Sequence, residues 1–220
     1  MPSIKTTTPI LGDRYYHIFN RGVNKQNIFY TEANYIYFLK LLDQFLTGYV
    51  DFLAFSLMPN HFHIILRIFN SLDFNTILFN EELKNRSIQK ERFSKMNLND
   101  QEVVGKLVVR QLKKLFITYS MAINKQENRV GNLFDPKYKR LQINDQDYLK
   151  YAIFYTNYNP EKHGLIEDFK EYRYSSFKAF IGSTPTKMNR ELVYELYGGK
   201  NSFLNYHLVM HEERAEIIIE

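Results

Sequence analysis

Apolar positions along this chain repeat with two periods, and the switches between them outline the elements. Residues 14–20, RYYHIFN, read as a strand that stops at Arg21-Gly22. Thr31 then stands as an N-cap, and Tyr35, Phe38, Leu39, Leu42, Phe45 and Leu46 recur at helical spacing as far as Gly48. Two apolar segments follow, 50–57 and 62–69, parted only by Met58-Pro59-Asn60-His61; that spacing predicts an antiparallel hairpin with a Pro-Asn turn. The polar residues 71–100 are expected to form a helix and loop over the surface. A longer helix is predicted from 101 to 125, with Val104, Leu107, Val108, Leu112, Leu115, Phe116 and Tyr119 as its apolar stripe and Gly131 as its stop. LFDPKYKRLQI reads as a loop or short strand. Asn144, with Asp147 three residues on, is the expected cap of a helix DYLKYAIFYTNYN that Pro160 ends. From about Arg173 the tail holds two short helices separated by Gly198-Gly199, and it finishes acidic in HEERAEIIIE. The chain shows no internal repeat, low-complexity segment or Gly/Ser linker. Strand, helix, hairpin and helix in that order predict an α+β fold with helices packed on an antiparallel sheet.

Composition narrows the class without naming the chemistry. The 220 residues are 45% hydrophobic and 24% charged, enough for one domain with a substantial core, or one domain with a small appendage. With no cysteine, a disulfide framework, a thiolate metal site and a cysteine nucleophile are all excluded, and a cytoplasmic setting is the default expectation. No apolar run approaches the ~18–20 residues that cross a bilayer, and MPSIKTTTPI lacks the apolar block of a secretory signal, so no membrane partner is expected. Aromatics are abundant at 16%, with 18 Phe and 17 Tyr, and a tyrosine can pack, stack on bases or attack. The net charge of +5 is uneven: residues 101–150 carry ten Lys or Arg against five Asp or Glu, equal to the whole excess. A basic stretch interleaved with Tyr and Phe suits a phosphate backbone and unstacked bases. A solvated helix face explains it equally well.

The chemistry-bearing residues begin with His61-Phe62-His63. Side chains alternate on a strand, so the two imidazoles share one face while Phe62 enters the other. Their Cα atoms should lie about 6.5–7 Å apart, within reach of one metal ion. Two unrelated surface histidines would have the same spacing. A third oxygen or nitrogen donor has to come from elsewhere, and the helix at 147–159 is the best source: Tyr155 and Asn159, four residues apart, share a face. Tyr148, Tyr151 and Tyr155 would also make an ordinary aromatic core stripe. Asn159 precedes Pro160, which biases it away from α geometry.

At this point a family resemblance becomes visible. MPNHFHIIL resembles the metal-binding segment of the single-tyrosine HUH transposases, the insertion-sequence and REP-associated group, in which U is a bulky hydrophobe. YHIFNRGVNKQNIF is similar to that family's opening strand and loop, and FITYSMAINKQENRVGNLFDPKYKR to its middle block. YAIFYTNYNPEKHGL followed by YRYSSF is similar to its Y-I-x-x-N-P-V-x-x-G-L block and W/Y-S-S element. The matches run in order over about residues 15–180. The chain departs from the pattern at Tyr174, which stands where the family often has Trp, and beyond 180.

The resemblance implies a ferredoxin-like sheet with the HUH pair on a central strand, a transposase domain over residues 1–180, and a small C-terminal helical extension over 181–220. It implies His61, His63 and Asn159 as ligands of one divalent cation, Mg²⁺ or Mn²⁺, and Tyr155 as the nucleophile. Tyr119, five residues before Asn124, is the rival; Ile123 stands one turn after it where a ligand would be needed. The implied reaction is nicking and rejoining of single-stranded DNA near hairpins through a 5′-phosphotyrosine, in a bacterial cytoplasm, by a monomer or homodimer. No Walker-type Gly-Lys-Ser/Thr loop is present, so no nucleotide cofactor is expected. Lys113, Lys114, Lys125, Arg129, Lys137, Lys139 and Arg140 are candidate DNA-backbone contacts, joined by Arg14, Arg21, Asn24 and Lys25 from the first strand and loop; singly, each also reads as a solvated polar residue. A domesticated hairpin-binding protein that no longer cuts is the alternative. A metal-dependent hydrolase of small phosphoesters, using water in place of Tyr155, is the third class.

Overall fold

Alternating residues at 15–21 and the hairpin on either side of Pro59-Asn60 build three strands, and a fourth closes the sheet. In the computed structural model, which describes residues 7–73 and 94–219 (side chains to 214), these are β1 (Tyr15–Arg21), β2 (Val50–Met58), β3 (His61–Ile68) and β4 (Lys139–Ile143). The order is β2-β3-β1-β4 and every pairing is antiparallel, with β3 and β1 central. Two helices cross between strands, α1 (Glu32–Leu46) from β1 to β2 and α2 (Gln101–Gln126) from β3 to β4. This is the ferredoxin-like connectivity. The surface helix expected at 71–100 falls largely outside the described residues.

The sheet has two different faces. On one, Phe62 of β3 meets Phe38 of α1 at 5.1 Å and Phe116 of α2 at 5.6 Å between ring centroids, and Tyr16, Ile18, Ile64 and Leu66 are sealed there. The other face carries the β3 histidines and is covered by α3 (Gln146–Lys162), which packs on β2 and β3. Beyond it come α4 (Phe177–Ile181), α5 (Arg190–Tyr197) and α6 (Lys200–Ile219), so the described tail holds three helices where two short ones are expected, and the one after Gly198-Gly199 runs 20 residues. Gly198, in left-handed geometry at φ 79°, turns the chain between α5 and α6.

Three local readings need correction. Asp145, not Asn144, caps α3: its carboxylate accepts the Tyr148 N–H at 2.7 Å, while the Asn144 amide oxygen bonds Gln142. A charged acceptor gains more from the partial positive charge of a helix N-terminus than a neutral amide does. Second, α2 ends at Gln126, five residues before Gly131, where Asn128 takes a positive φ of 50°. Third, α3 runs through Pro160 to Lys162. A proline so near the end forfeits one intrahelical bond, and the turn still closes through His163 N–H to Asn159 C=O at 3.0 Å.

The residues after α3 fasten it to the sheet edge. Ser175 bridges Ser56, and Ser176 Oγ accepts the Phe55 N–H at 3.0 Å while donating to Asn157 Oδ1 at 2.7 Å. Asn157 Nδ2 reaches His207 Nε2 at 3.3 Å, and His207 Nδ1 donates to the Phe203 carbonyl at 2.9 Å. A single buried chain of hydrogen bonds therefore runs from β2 through α3 into α6. Tyr174 stacks on Tyr35 at 3.9 Å.

Candidate functional site

An open cleft of about 620 Å³ lies at the end of the central strands, walled by His61, His63 and Phe19, by Arg21 at the end of β1 and Lys25 in the loop after it, by Asp135 and Lys139, and by His163 just after α3. The loop is tight. A Cβ on Gly22 would sit 2.0 Å from the Gln26 carbonyl oxygen, so only glycine fits there. The same loop grips the hairpin turn, with Gly22 N–H on the Asn60 carbonyl at 2.8 Å and Ile28 N–H on that of Pro59 at 2.8 Å. The histidine pair is thus placed by the hairpin and braced by the loop after β1.

Each imidazole is tethered through Nδ1. His61 Nδ1 donates to Asn60 Oδ1 at 2.6 Å, and His63 Nδ1 lies 2.8 Å from Nε2 of His17 on β1. Burial pushes His61 and His17 down to about 4, and in His61 the neighbouring His163 and Arg21 add to the effect. His63 is pushed well below its ordinary value, first by burial and then by the surrounding imidazoles and Lys162. At neutral pH these rings carry no charge, the form in which an imidazole can bind a cation. Among the described residues no three His, Asp, Glu or Cys side chains are grouped to hold an ion. A donor of another kind stands on α3: Asn159 is fully buried, and neither its Oδ1 nor its Nδ2 has a hydrogen-bond partner. Ser56 Oγ, on the strand position opposite His63, and Thr156 Oγ1 of α3 are likewise buried and unpartnered. Buried orphan amides are rare in folded proteins. In chemical type, two tethered imidazoles and an unpartnered buried amide suit a divalent cation, although Asn159 is not among the residues that wall the cleft.

Tyr155 is half-buried on α3, one turn before Asn159, and it does not line the cleft. Its hydroxyl accepts a 2.8 Å hydrogen bond from Lys162 Nζ, and the same ammonium sits 4.6 Å from the ring centroid. Tyr119 is placed very differently. It lies on α2, sealed against α1, its hydroxyl donates to the Ile28 carbonyl at 2.7 Å, and burial raises its pKa far above the ordinary phenol value.

Of the basic candidates, Arg21, Lys25 and Lys139 line the cleft, with Arg21 Nε paired to Asp135 at 2.8 Å. Asn24 is exposed in the same loop at φ 55°. Lys113 and Arg140 border a second groove of about 480 Å³ between α2 and the 131–138 loop, which shares Asn20 and Asp135 with the first. Arg129 is bonded to Gln26 Oε1 at 2.7 Å and Tyr30 Oη at 3.0 Å. Lys114 is half-buried on α2, while Lys125 and Lys137 are exposed. Arg14 sits at the opposite end of β1 beside Asp13, away from the cleft.

No family model matches the chain, and no curated protein is similar to it. Among solved structures it is similar to that of a REP-associated tyrosine transposase bound to a REP hairpin, with a TM-score of 0.53 and 15% identity, over 83% of this chain and 88% of the other. What they share is the fold, with mixed α and β layers and, in this chain, a four-stranded antiparallel sheet.

His17, Lys162 and His163 escape a reading of the sequence. His163 stands 4.8 Å from His61 between ring centroids. Lys162 and His163 both follow Pro160, and treating that proline as a stop hides them. No helix among the described residues is long and apolar enough to cross a membrane.

Proposed function

We propose that this chain is a transposase-type enzyme that nicks and rejoins single-stranded DNA, with Tyr155 as nucleophile and His61, His63 and Asn159 as the ligands of a divalent cation. The observation that carries this reading is the sheet face itself: a tethered imidazole pair beneath a helix that brings a phenol and an unpartnered buried amide on one stripe, in a fold shared with a tyrosine transposase. When bound, the cation would neutralise a non-bridging phosphate oxygen; Mg²⁺ and Mn²⁺ suit phosphate, and the imidazoles favour the softer Mn²⁺ of the two.

The chain's own residues supply the rest. Tyr155 Oη attacks phosphorus, the P–O3′ bond breaks, and the products are a 5′-phosphotyrosine and a free 3′-hydroxyl. The phenolic proton passes to water and the leaving oxygen takes one from water. Lys162 already donates to the attacking oxygen, so a positive donor is in place for the charge on the phenolic oxygen. Attack by another 3′-hydroxyl reverses the step with no nucleotide cofactor, because the phosphoester is conserved. Arg21, Lys25 and Lys139 give the cleft three cations against the one carboxylate of Asp135, and the adjoining groove with Lys113 and Arg140 extends the path for a phosphate backbone.

The test is a covalent band. Full-length protein incubated with a hairpin-bearing single-stranded oligonucleotide library and Mn²⁺ should yield a protein–DNA adduct stable to boiling in detergent. Tyr155→Phe should abolish it and Tyr119→Phe should not. Cleavage that persists in Tyr155→Phe would overturn the nucleophile assignment in favour of a water-based phosphoesterase. Hairpin binding with no adduct under any divalent cation would point instead to a non-cleaving DNA-binding protein.

A further inference from the structure

His17 is the buried neighbour of the candidate metal site that the proposed chemistry leaves without a task. It lies on β1, paired across the sheet with Ile65, and therefore on the same face as His63 two positions along β3. Only 9% of it is exposed. Its Nε2 is 2.8 Å from His63 Nδ1, and the Phe19 ring packs against both imidazoles, at 4.7 Å from His17 and 5.4 Å from His63. Packing and hydrogen bond together hold the His63 ring in one orientation.

The bond also has a direction, and the direction matters. Two neutral imidazoles share one proton across this contact. If His17 Nε2–H donates, His63 accepts at Nδ1 and carries its own proton on Nε2, so neither nitrogen has a lone pair to offer. If His63 Nδ1–H donates, Nε2 keeps a bare lone pair on a ring that walls the cleft. The partner of His61 allows no such choice, because Asn60 Oδ1 can only accept. An imidazole in that place can only be a ligand if its outer partner accepts, which is the general logic of residues that stand behind metal-binding histidines.

We propose that His17 is the positioning residue of His63: it accepts the His63 Nδ1–H, fixes the ring, and leaves Nε2 for a divalent cation in the cleft. The proposal rests on reading His61 and His63 as the cation pair.

Mn²⁺ binding to the full chain without DNA, followed by the electron paramagnetic resonance of the free ion, tests it apart from any activity. His17→Phe should weaken Mn²⁺ affinity by about 10- to 100-fold. His17→Gln places an amide oxygen near the position of Nε2 and should bind within ~threefold of the native chain, whereas His17→Asn, one methylene shorter, should fall with His17→Phe. Ring ¹⁵N spectra of the metal-free protein should show His63 protonated at Nδ1 in the native chain and in His17→Gln, and no longer uniformly so in His17→Phe. Native affinity in His17→Phe, or equal affinities for the Asn and Gln variants, would overturn the proposal. Should His17→Phe fail to fold, the Asn and Gln pair decides. If the native chain holds Mn²⁺ no better than His61→Ala/His63→Ala, the metal-site reading itself fails and takes this one with it. Tight native binding with an indifferent His17 sinks the positioning role alone.

Discussion

Strand β3 belongs to two environments at once. Its even-numbered residues, Phe62, Ile64 and Leu66, are sealed among aromatic and aliphatic side chains of α1 and α2. On its other face, His61 and His63 look toward α3 across a layer where Ser56, Thr156 and Asn159 keep buried polar atoms without partners. The first face spends every residue on packing. The second leaves buried donors and acceptors unmet beside the histidine pair, which suits the proposed cation site. On the proposed reading, packing and chemistry thus fall to neighbouring residues of one strand.

The strongest way to break that contrast is to empty each face in turn. Phe62→Ala should lower the free energy of unfolding by about 3–5 kcal/mol. Replacing His61 and His63 by Ala should cost less than about half of that and abolish the DNA adduct. Denaturant melts with the adduct assay measure both; a histidine double variant that unfolds as readily as Phe62→Ala would erase the distinction.

Lys162 sharpens the functional side. Lys162→Met should slow adduct formation by about 10- to 100-fold, the scale of one charge-assisted hydrogen bond, without changing hairpin affinity or melting temperature. Unaltered single-turnover rates would reduce the Lys162–Tyr155 bond to a surface contact.

A third comparison uses acid. Burial holds His207 down to about 4 against an ordinary 6.5. Between those values the unfolded chain binds a proton that the native ring refuses, so stability rises with pH and is lost as pH falls from 6.5 toward 4. His207→Phe should make that decline shallower by about 1 kcal/mol per pH unit, read from denaturant melts at pH 5 to 6.5. An unchanged slope would mean that the ring titrates normally in the fold.

The smallest effects have opposite signs. Asn159→Leu removes an unpaired amide and should raise stability by about 1 kcal/mol while weakening Mn²⁺ binding. Tyr119→Phe removes a satisfied hydroxyl and should cost about 1 kcal/mol with the adduct intact. Metal-free melts that move the same way for both would contradict the orphaned state of Asn159.

Much of the sheet was legible because alternation is a local signal: strand β1 and the hairpin fall within a residue or two of their expected places, and the helices α1 and α2 follow their apolar stripes. The site was legible only in part. His61 and His63 stand on one face by strand geometry alone, but the tie between His63 and His17 depends on which strands are neighbours, and no local pattern encodes that. Pro160 misled for a different reason. A proline in a last turn loses little, and the turn it permits carries Lys162 and His163. Tyr119 and Tyr155 look alike as helical aromatics, and only their surroundings part them, one hydroxyl spent on a backbone carbonyl and the other met by an ammonium.

The buried line of hydrogen bonds from Phe55 through Ser176 and Asn157 to His207 has one more consequence. It acts as a key that sets the angle of α3 about its own axis. A single residue inserted between Asn157 and the preceding turn would spin Tyr155 by roughly 100° relative to Asn159, while the lock at Asn157 held the remainder in place. Lineages of this chain should therefore vary freely in the loops and yet keep the count of residues from 155 to 159 unchanged.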